Sequence, residues 1–173
     1  PFFSDGSDYM NGDCYYFVWT AGTYDVATLE GYGYDCTCVT DPVVGCLDPT
    51  ASNYNAAADI GGAPCTYSVS CDAAVTGSYT YGNNDDYSIS YEVPAGETAQ
   101  ATLDVSTESC CDYLIVSNGA GDVLATFAGT ETGVVVTSDD NVITITFDSD
   151  YSVSGYTSSW SVECAPSGLG CMD

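Results

Sequence analysis

The sequence predicts an all-β fold, an antiparallel β-sandwich accompanied by small, disulfide-stapled, loop-rich modules. Three observations point there. Between residues 71 and 164, runs of four to eight residues rich in Tyr, Val, Ile and Thr recur between Gly, Asn, Asp and Pro punctuation. One of these runs, residues 142–147, alternates: Val142, Thr144 and Thr146 fall on one face and Ile143, Ile145 and Phe147 on the other. Ten cysteines occupy 173 residues, an even and high count that reads as an oxidised, extracellular framework.

Taken in order, residues 1–44 form a cysteine-containing N-terminal module with Cys14, Cys36 and Cys38. The apolar run 15–19 predicts a strand. Val26 and Leu29, three apart in 24–30, predict one short helix ended by Gly31 or Gly33. Cys36 and Cys38 are spaced C-x-C and the chain has no His, so disulfides are expected there rather than structural zinc. Residues 45–70 are turn-rich and have too little apolar mass for a core of their own, so a Cys46–Cys65 loop is the expected support. Residues 71–164 form the sandwich, with strands predicted near 77–81, 87–93, 98–105, 113–117, 123–128, 133–137, 142–147 and 156–162. Asn118-Gly119 lies between two of these runs and reads as a hairpin turn. Residues 165–173 form a junction segment.

Composition excludes much chemistry. The chain has no Lys, Arg or His and 25 Asp plus Glu, a formal net charge of −25. Serine–histidine and cysteine–histidine catalysis, lysine Schiff bases and arginine phosphate clamps are impossible. Nucleic acid is excluded as an expected partner, because Lys and Arg drive phosphate binding. No apolar run is long enough to span a membrane. Hydrophobic residues at 45%, with fifteen Tyr, are too many for an acidic disordered tail. Asp5-Gly6-Ser7 has the wrong residue order for an aspartic protease and no second copy, so it reads as a turn, and no enzyme is expected. The many Tyr offer stacking surfaces for glycans, although Tyr in β proteins usually packs against neighbouring strands.

Two stretches resemble known families. Tyr91-Glu92-Val93-Pro94-Ala95-Gly96, Cys111-Asp112-Tyr113-Leu114-Ile115-Val116 and Phe147-Asp148-Ser149-Asp150-Tyr151-Ser152-Val153-Ser154-Gly155-Tyr156 follow one another as do the I-x-x-P-x-G, C-x-D-Y-L-x-I and F-x-S-D-x-S-V-x-x-x-G-F signatures of CUB domains. Residues 71–164 thus resemble a CUB domain, an extracellular β-sandwich. The second and third pieces each lack one spacer residue, and Tyr87, Ile89 and Ala128 stand where the family has its usual Cys, Trp and Cys. The usual bridges are therefore not carried over. Cys71 and Cys164, which bracket the domain, are the expected replacement pair. Cys110 and Cys111 either bridge each other or bond elsewhere. Residues 45–65 resemble the G-C-x-D-P-x-A-x-N-Y-N repeat of secreted proteins of marine bacteria and microalgae, through Gly45, Cys46, Asp48, Pro49, Ala51, Asn53, Tyr54, Asn55, Ala58 and Cys65.

The CUB resemblance implies calcium. Many members hold it with an acidic residue before the C-x-D-Y strand, the Asp of that strand and the Asp of F-x-S-D-x-S. Here these are Asp104, with Glu108 as the alternative, then Asp112 and Asp150, with Ser152 as an oxygen donor. A second cation site at Asp48, Asn53, Asn55 and Asp59 competes with a turn-forming role for Asp48-Pro49 and Asn53.

The ends add one feature. The chain finishes Gly170-Cys171-Met172-Asp173 and begins at Pro1, without an initiator Met or a signal peptide, which reads as a piece of something processed or longer. Joined tail to head, it reads G-C-M-D-P, matching the internal G-C-L-D-P. The expectation is one period of a longer repeat, whether tandem or of separate chains, with Cys171 and Cys14 closing a loop across each junction. The function expected is then a structural subunit of an extracellular filament or surface matrix, its partners being copies of itself head to tail. The alternative is a CUB-type adhesion or ligand-binding accessory module.

Overall fold

The computed structural model describes residues 17–18, 24–34, 36, 40–62 and 64–166. The chain divides into two compact units, Pro1–Gly45 with Ala56–Gly62, and Cys46–Asn55 with Ala63–Asp173.

In the first unit, helix α1 (Val26–Gly31) begins where Asp25 accepts the Thr28 N–H at 2.7 Å, satisfying an otherwise orphaned donor. It ends at Tyr32, and Gly33 takes the left-handed φ of 91° that follows a helix. Buried Leu29 packs with Val18 and Cys36, flanked by Phe17, Val26 and Tyr34. The strand expected over 15–19 is corrected where it is described: Phe17 and Val18 lie in a wide helical turn. A short apolar run does not distinguish strand from buried helix, and here the aromatic residues pack around Leu29. Strands β1 (Val44–Gly45) and β2 (Ile60–Gly61) pair in parallel.

The second unit is the predicted sandwich. Its strands are β3 (Cys65–Ser68), β4 (Val75–Thr80), β5 (Asp86–Glu92), β6 (Ala99–Ser106), β7 (Tyr113–Asn118), β8 (Val123–Phe127), β9 (Thr130–Thr137), β10 (Val142–Asp148) and β11 (Thr157–Cys164). One sheet has the order β3-β5-β10-β7-β8, the other β4-β11-β6-β9. All pairings are antiparallel except β3 with β5.

Period-two patterning supplies the core. On β10 the alternation read from the sequence buries Ile143, Ile145 and Phe147; on β6 it buries Ala99, Ala101, Leu103 and Val105. Leu114 and Val116 of β7 and Trp160 and Val162 of β11 complete the interior. Each large side chain so buried contributes roughly 1.5–3 kcal/mol. Trp160 donates its indole N–H to the Tyr91 hydroxyl at 2.8 Å, tying the two sheets together in the interior. Cys46–Cys65 and Cys71–Cys164 are bridged, and Cys110 bonds Cys111. Cys36 is also in a disulfide. Cys14, Cys38 and Cys171 lie outside the described residues, as does the expected junction across the chain ends.

Two local readings differ in detail. The turn at Asn118-Gly119 is a hairpin, but it spans 118–122 rather than two residues. The Asn118 side-chain oxygen accepts the Ala120 and Asp122 N–H groups, so the left-handed position moves to Gly121. Strand β9 starts at Thr130, before the predicted 133, because its first residues pair as an exposed edge without apolar alternation.

Candidate metal centre

Three loops meet at one end of the sandwich. Glu108 follows the end of β6. Asp112 immediately precedes β7, and Asp150 follows β10. Antiparallel pairing of Asp148 with Tyr113 brings the last two together. The carboxylate oxygens of Glu108, Asp112 and Asp150 lie within 4.8 Å of one another.

Asp112 is the centre of this group, at 1% exposure. Its Oδ1 accepts the Asp150 N–H at 2.9 Å. Its Oδ2 is buried with no hydrogen-bond partner among the described residues. Asp150 Oδ1 accepts the Ser152 N–H at 2.8 Å and its hydroxyl at 3.3 Å, which folds the loop back on itself. Ser152 thus stands beside the group as a positioning residue. The Tyr81 hydroxyl accepts the Glu108 N–H at 2.9 Å and donates toward the Val153 carbonyl at 3.5 Å. Burial first, and then the neighbouring Asp112 carboxylate, push the Tyr81 pKa up. The phenol lies near enough to Asp112 for hydrogen bonding to contribute to this rise, ahead of the carboxylate's charge, but the contact does not meet ordinary hydrogen-bond geometry, which leaves Oδ2 without a partner among the described residues.

Val153 adopts φ 57°, a left-handed conformation that a β-branched residue rarely takes. Strain of this kind persists only where its surroundings hold it. Here the Gly155 N–H bonds the Tyr81 carbonyl at 3.0 Å, and the Asn84 N–H bonds the Asp150 carbonyl at 2.6 Å.

Electrostatics favours a cation. Desolvation, followed by the charges of Asp112 and Asp150, raises the Glu108 pKa. No Lys, Arg or His exists anywhere in the chain to neutralise these carboxylates. A buried, unpaired carboxylate is costly unless it is paired or coordinates a metal. A hard, all-oxygen donor set suits calcium-class divalent cations. The residues present therefore fit the cation that the sequence resemblance implies, and the unpartnered Oδ2 of Asp112 is the structural mark of that fit.

Asp104 stands apart from this group. It sits at the β-bulge of β6, exposed, with its Oδ1 accepting the Gly133 N–H at 2.9 Å. Of the two alternatives, Glu108 is the one beside Asp112 and Asp150. Tyr81 and Val153 were not among the expected site residues. Alternation places Tyr81 inward, but nothing in the sequence marks its hydroxyl as a contact of the 107–112 loop.

At the second expected cation site, Asp48 Oδ1 accepts the Thr50 N–H and hydroxyl, both at 2.8 Å, and Oδ2 accepts the Tyr67 hydroxyl at 2.7 Å. The Tyr67 bond, followed by those from Thr50, lowers the Asp48 pKa. Asn53 accepts the Thr66 N–H at 2.8 Å and donates to the Pro64 carbonyl at 2.9 Å. The Asn55 N–H bonds the Cys46 carbonyl. Asp59 belongs to the other unit, where it accepts the Val43 N–H at 3.0 Å. Asp48 and Asn53 thus shape the turn and anchor it to β3.

No protein-family model and no curated protein sequence matches the chain. Among solved structures it is similar to the full extracellular region of zebrafish Gpr126/Adgrg6, at 24% identity and a TM-score of 0.46, over 61% of this chain and 15% of that one. It is similar to the CUB1-EGF-CUB2 domains of rat MASP-1, at 21% identity and a TM-score of 0.45, over 59% of this chain and 43% of that one. The MASP-1 CUB2 domain bound to Ca2+ matches at 18% identity and a TM-score of 0.43, over 51% of this chain and 91% of that one. The chain spans less than half the length of the first two. The sandwich assignment itself rests on the strands and their pairing.

Proposed function

We propose that the sandwich is an extracellular binding module whose loops at the β7 and β10 end are set by a bound calcium-class cation. The observation that supports this most directly is the buried, unpartnered Asp112 Oδ2, with Glu108 and Asp150 oxygens within 4.8 Å. A cation there would offset repulsion among the three carboxylates and fix the 107–112 and 149–155 loops as a presented surface. The disulfides support an oxidising, extracellular setting. This reading assigns the chain no catalytic role.

Terbium luminescence sensitised by the nearby Tyr81, together with calorimetric calcium titration, tests it. Wild type is expected to bind with one saturable site, and Asp112→Asn is expected to lose at least ~10-fold in affinity, the size typical of losing part of a metal's support. Equal binding by wild type and variant would remove the site, and with it this reading.

A second reading is favoured by the disulfide-closed G-C-x-D-P loop at 45–65, which resembles a repeat of secreted proteins: a filament or matrix subunit assembled from copies of itself. A head-to-tail contact generates an open fibre unless its rotation closes a ring. Non-reducing mass spectrometry should then find Cys171 linked to Cys14, and calcium-replete material should form fibres under the electron microscope. Monomers with both sulfurs satisfied internally would discard this reading and leave the binding module.

A further inference from the structure

The disulfide between Cys110 and Cys111 joins adjacent residues on the segment that carries Glu108 into Asp112. Cys110 is exposed and Cys111 is at least partly exposed. The Tyr113 hydroxyl holds the Cys110 carbonyl at 3.0 Å, so this segment is anchored to the start of β7. A Glu108 carboxylate oxygen lies within 4.8 Å of both sulfurs, as one does of the Asp112 and Asp150 oxygens. Glu108 thus belongs to two groupings, one made of oxygens alone and one of an oxygen with two sulfurs.

We propose that Glu108 serves two metal sites that exchange with the redox state of Cys110 and Cys111. With the disulfide closed, Glu108 joins Asp112 and Asp150 around a hard divalent cation. With the disulfide open, Glu108 joins two thiolates around a thiophilic divalent cation of the zinc or cadmium class. The first half rests on the cation-site reading above; the second rests on the sulfur grouping alone.

The redox step balances with an external dithiol. One of its thiolates attacks a sulfur of the pair and forms a mixed disulfide. That attack breaks the bond between Cys110 and Cys111 and releases the unattacked sulfur as a thiolate; the reagent's second thiol then attacks the reagent's own sulfur in the mixed disulfide, displaces the remaining protein sulfur, and the reagent leaves as a cyclic disulfide. The pair gains two electrons and two protons and ends as two thiols. Metal binding then releases one proton from each thiol, since only thiolates ligate. Soft thiolates select zinc-class ions, whereas carboxylates alone suit calcium. Because Cys110 is exposed, water can fill the fourth position of a tetrahedral site. A Glu108 carboxylate drawn toward the sulfurs is withdrawn from Asp112 and Asp150, so loading one site weakens the other.

Cadmium titration of the full chain, before and after stoichiometric dithiol treatment, tests this through the thiolate-to-cadmium charge-transfer absorption. Alkylation and mass spectrometry report which cysteines have opened. The band is expected only when Cys110 and Cys111 are open. It should vanish in Cys110→Ser/Cys111→Ser and require about tenfold more cadmium in Glu108→Gln. Terbium should bind the cadmium-loaded protein about tenfold more weakly than the oxidised protein. A band of equal size in the double serine variant, or unchanged cadmium affinity in Glu108→Gln, overturns the proposal. Should the double variant fail to fold, the Glu108→Gln comparison on the reduced chain decides. If the oxidised chain takes no terbium while the cadmium results hold, the hard-cation reading falls, the exchange between two sites falls with it, and only the thiolate site is left.

Discussion

At the scale of single residues, the acidic end of the sandwich is governed by charges that nothing in the chain can neutralise. Glu108 shows the consequence. Desolvation, followed by repulsion from Asp112 and Asp150, lifts its pKa above the ordinary 4.5. A carboxyl that holds its proton more tightly in the folded state makes folding weaker once it ionises. The cation-free protein therefore loses stability relative to Glu108→Gln as pH rises from 4.5 through the raised folded value, and the gap is constant outside that window. Melting temperatures of both proteins in chelator, from about pH 4 to pH 8, check this; a gap that never changes with pH would refute the repulsion. Part of this site was legible beforehand. Asp112 and Asp150 were placed by their motifs, each next to a β-rich run. Asp104 and Glu108 could not be separated, because the choice turns on a bulge in β6 that points Asp104 toward Gly133. The roles of Tyr81 and Val153 were hidden. One is a tertiary hydrogen bond, the other a backbone angle, and neither leaves a residue pattern.

At the scale of elements, alternation carried most of the information. All eight strands expected within 71–164 form, with ends shifted by a few residues. What alternation missed lacks a buried stripe: β3 is four residues of a disulfide loop laid parallel against β5, and the opening of β9 is an exposed edge. Strand pairing also gives Gly77 a role that composition could not. Gly77 of β4 sits opposite Trp160 of β11, and a Cβ at that position would stand 2.5 Å from the indole nitrogen. Trp160 is buried and bonded to Tyr91, so it has little room to yield. Gly77→Ala should cost about 1–3 kcal/mol, the usual penalty for overpacking. Urea denaturation would show this as a lower midpoint at an unchanged slope. A midpoint equal to wild type would mean that the ring relaxes freely and that the clasp between the sheets is looser than its hydrogen bond implies.

At the scale of the whole molecule, a net charge of −25 without a single cation must be overcome by burial and by covalent closure. The sandwich uses both. Its two sheets enclose Leu103, Leu114, Ile145, Phe147 and Trp160, and Cys71–Cys164 ties the start of the domain to its last strand across 93 residues of sequence. In the chain-entropy account, a closed loop of that length restricts the unfolded ensemble by roughly 4–5 kcal/mol, whereas a bridge between neighbours such as Cys110–Cys111 restricts it by only ~1 kcal/mol. A small domain has about 5–15 kcal/mol of stability in all. Removing the long bridge should therefore bring the domain close to unfolding, while removing the vicinal one should not. Screening shortens the reach of the repulsion from a Debye length of about 10 Å at 0.1 M salt to about 3 Å at 1 M. Cys71→Ala/Cys164→Ala should accordingly show a large fall in melting temperature that added salt partly restores. Cys110→Ala/Cys111→Ala, melted without metal, should fall far less. Equal losses from the two double variants would mean that these bridges act through native contacts rather than through loop closure, and that the sandwich core alone carries the charge burden.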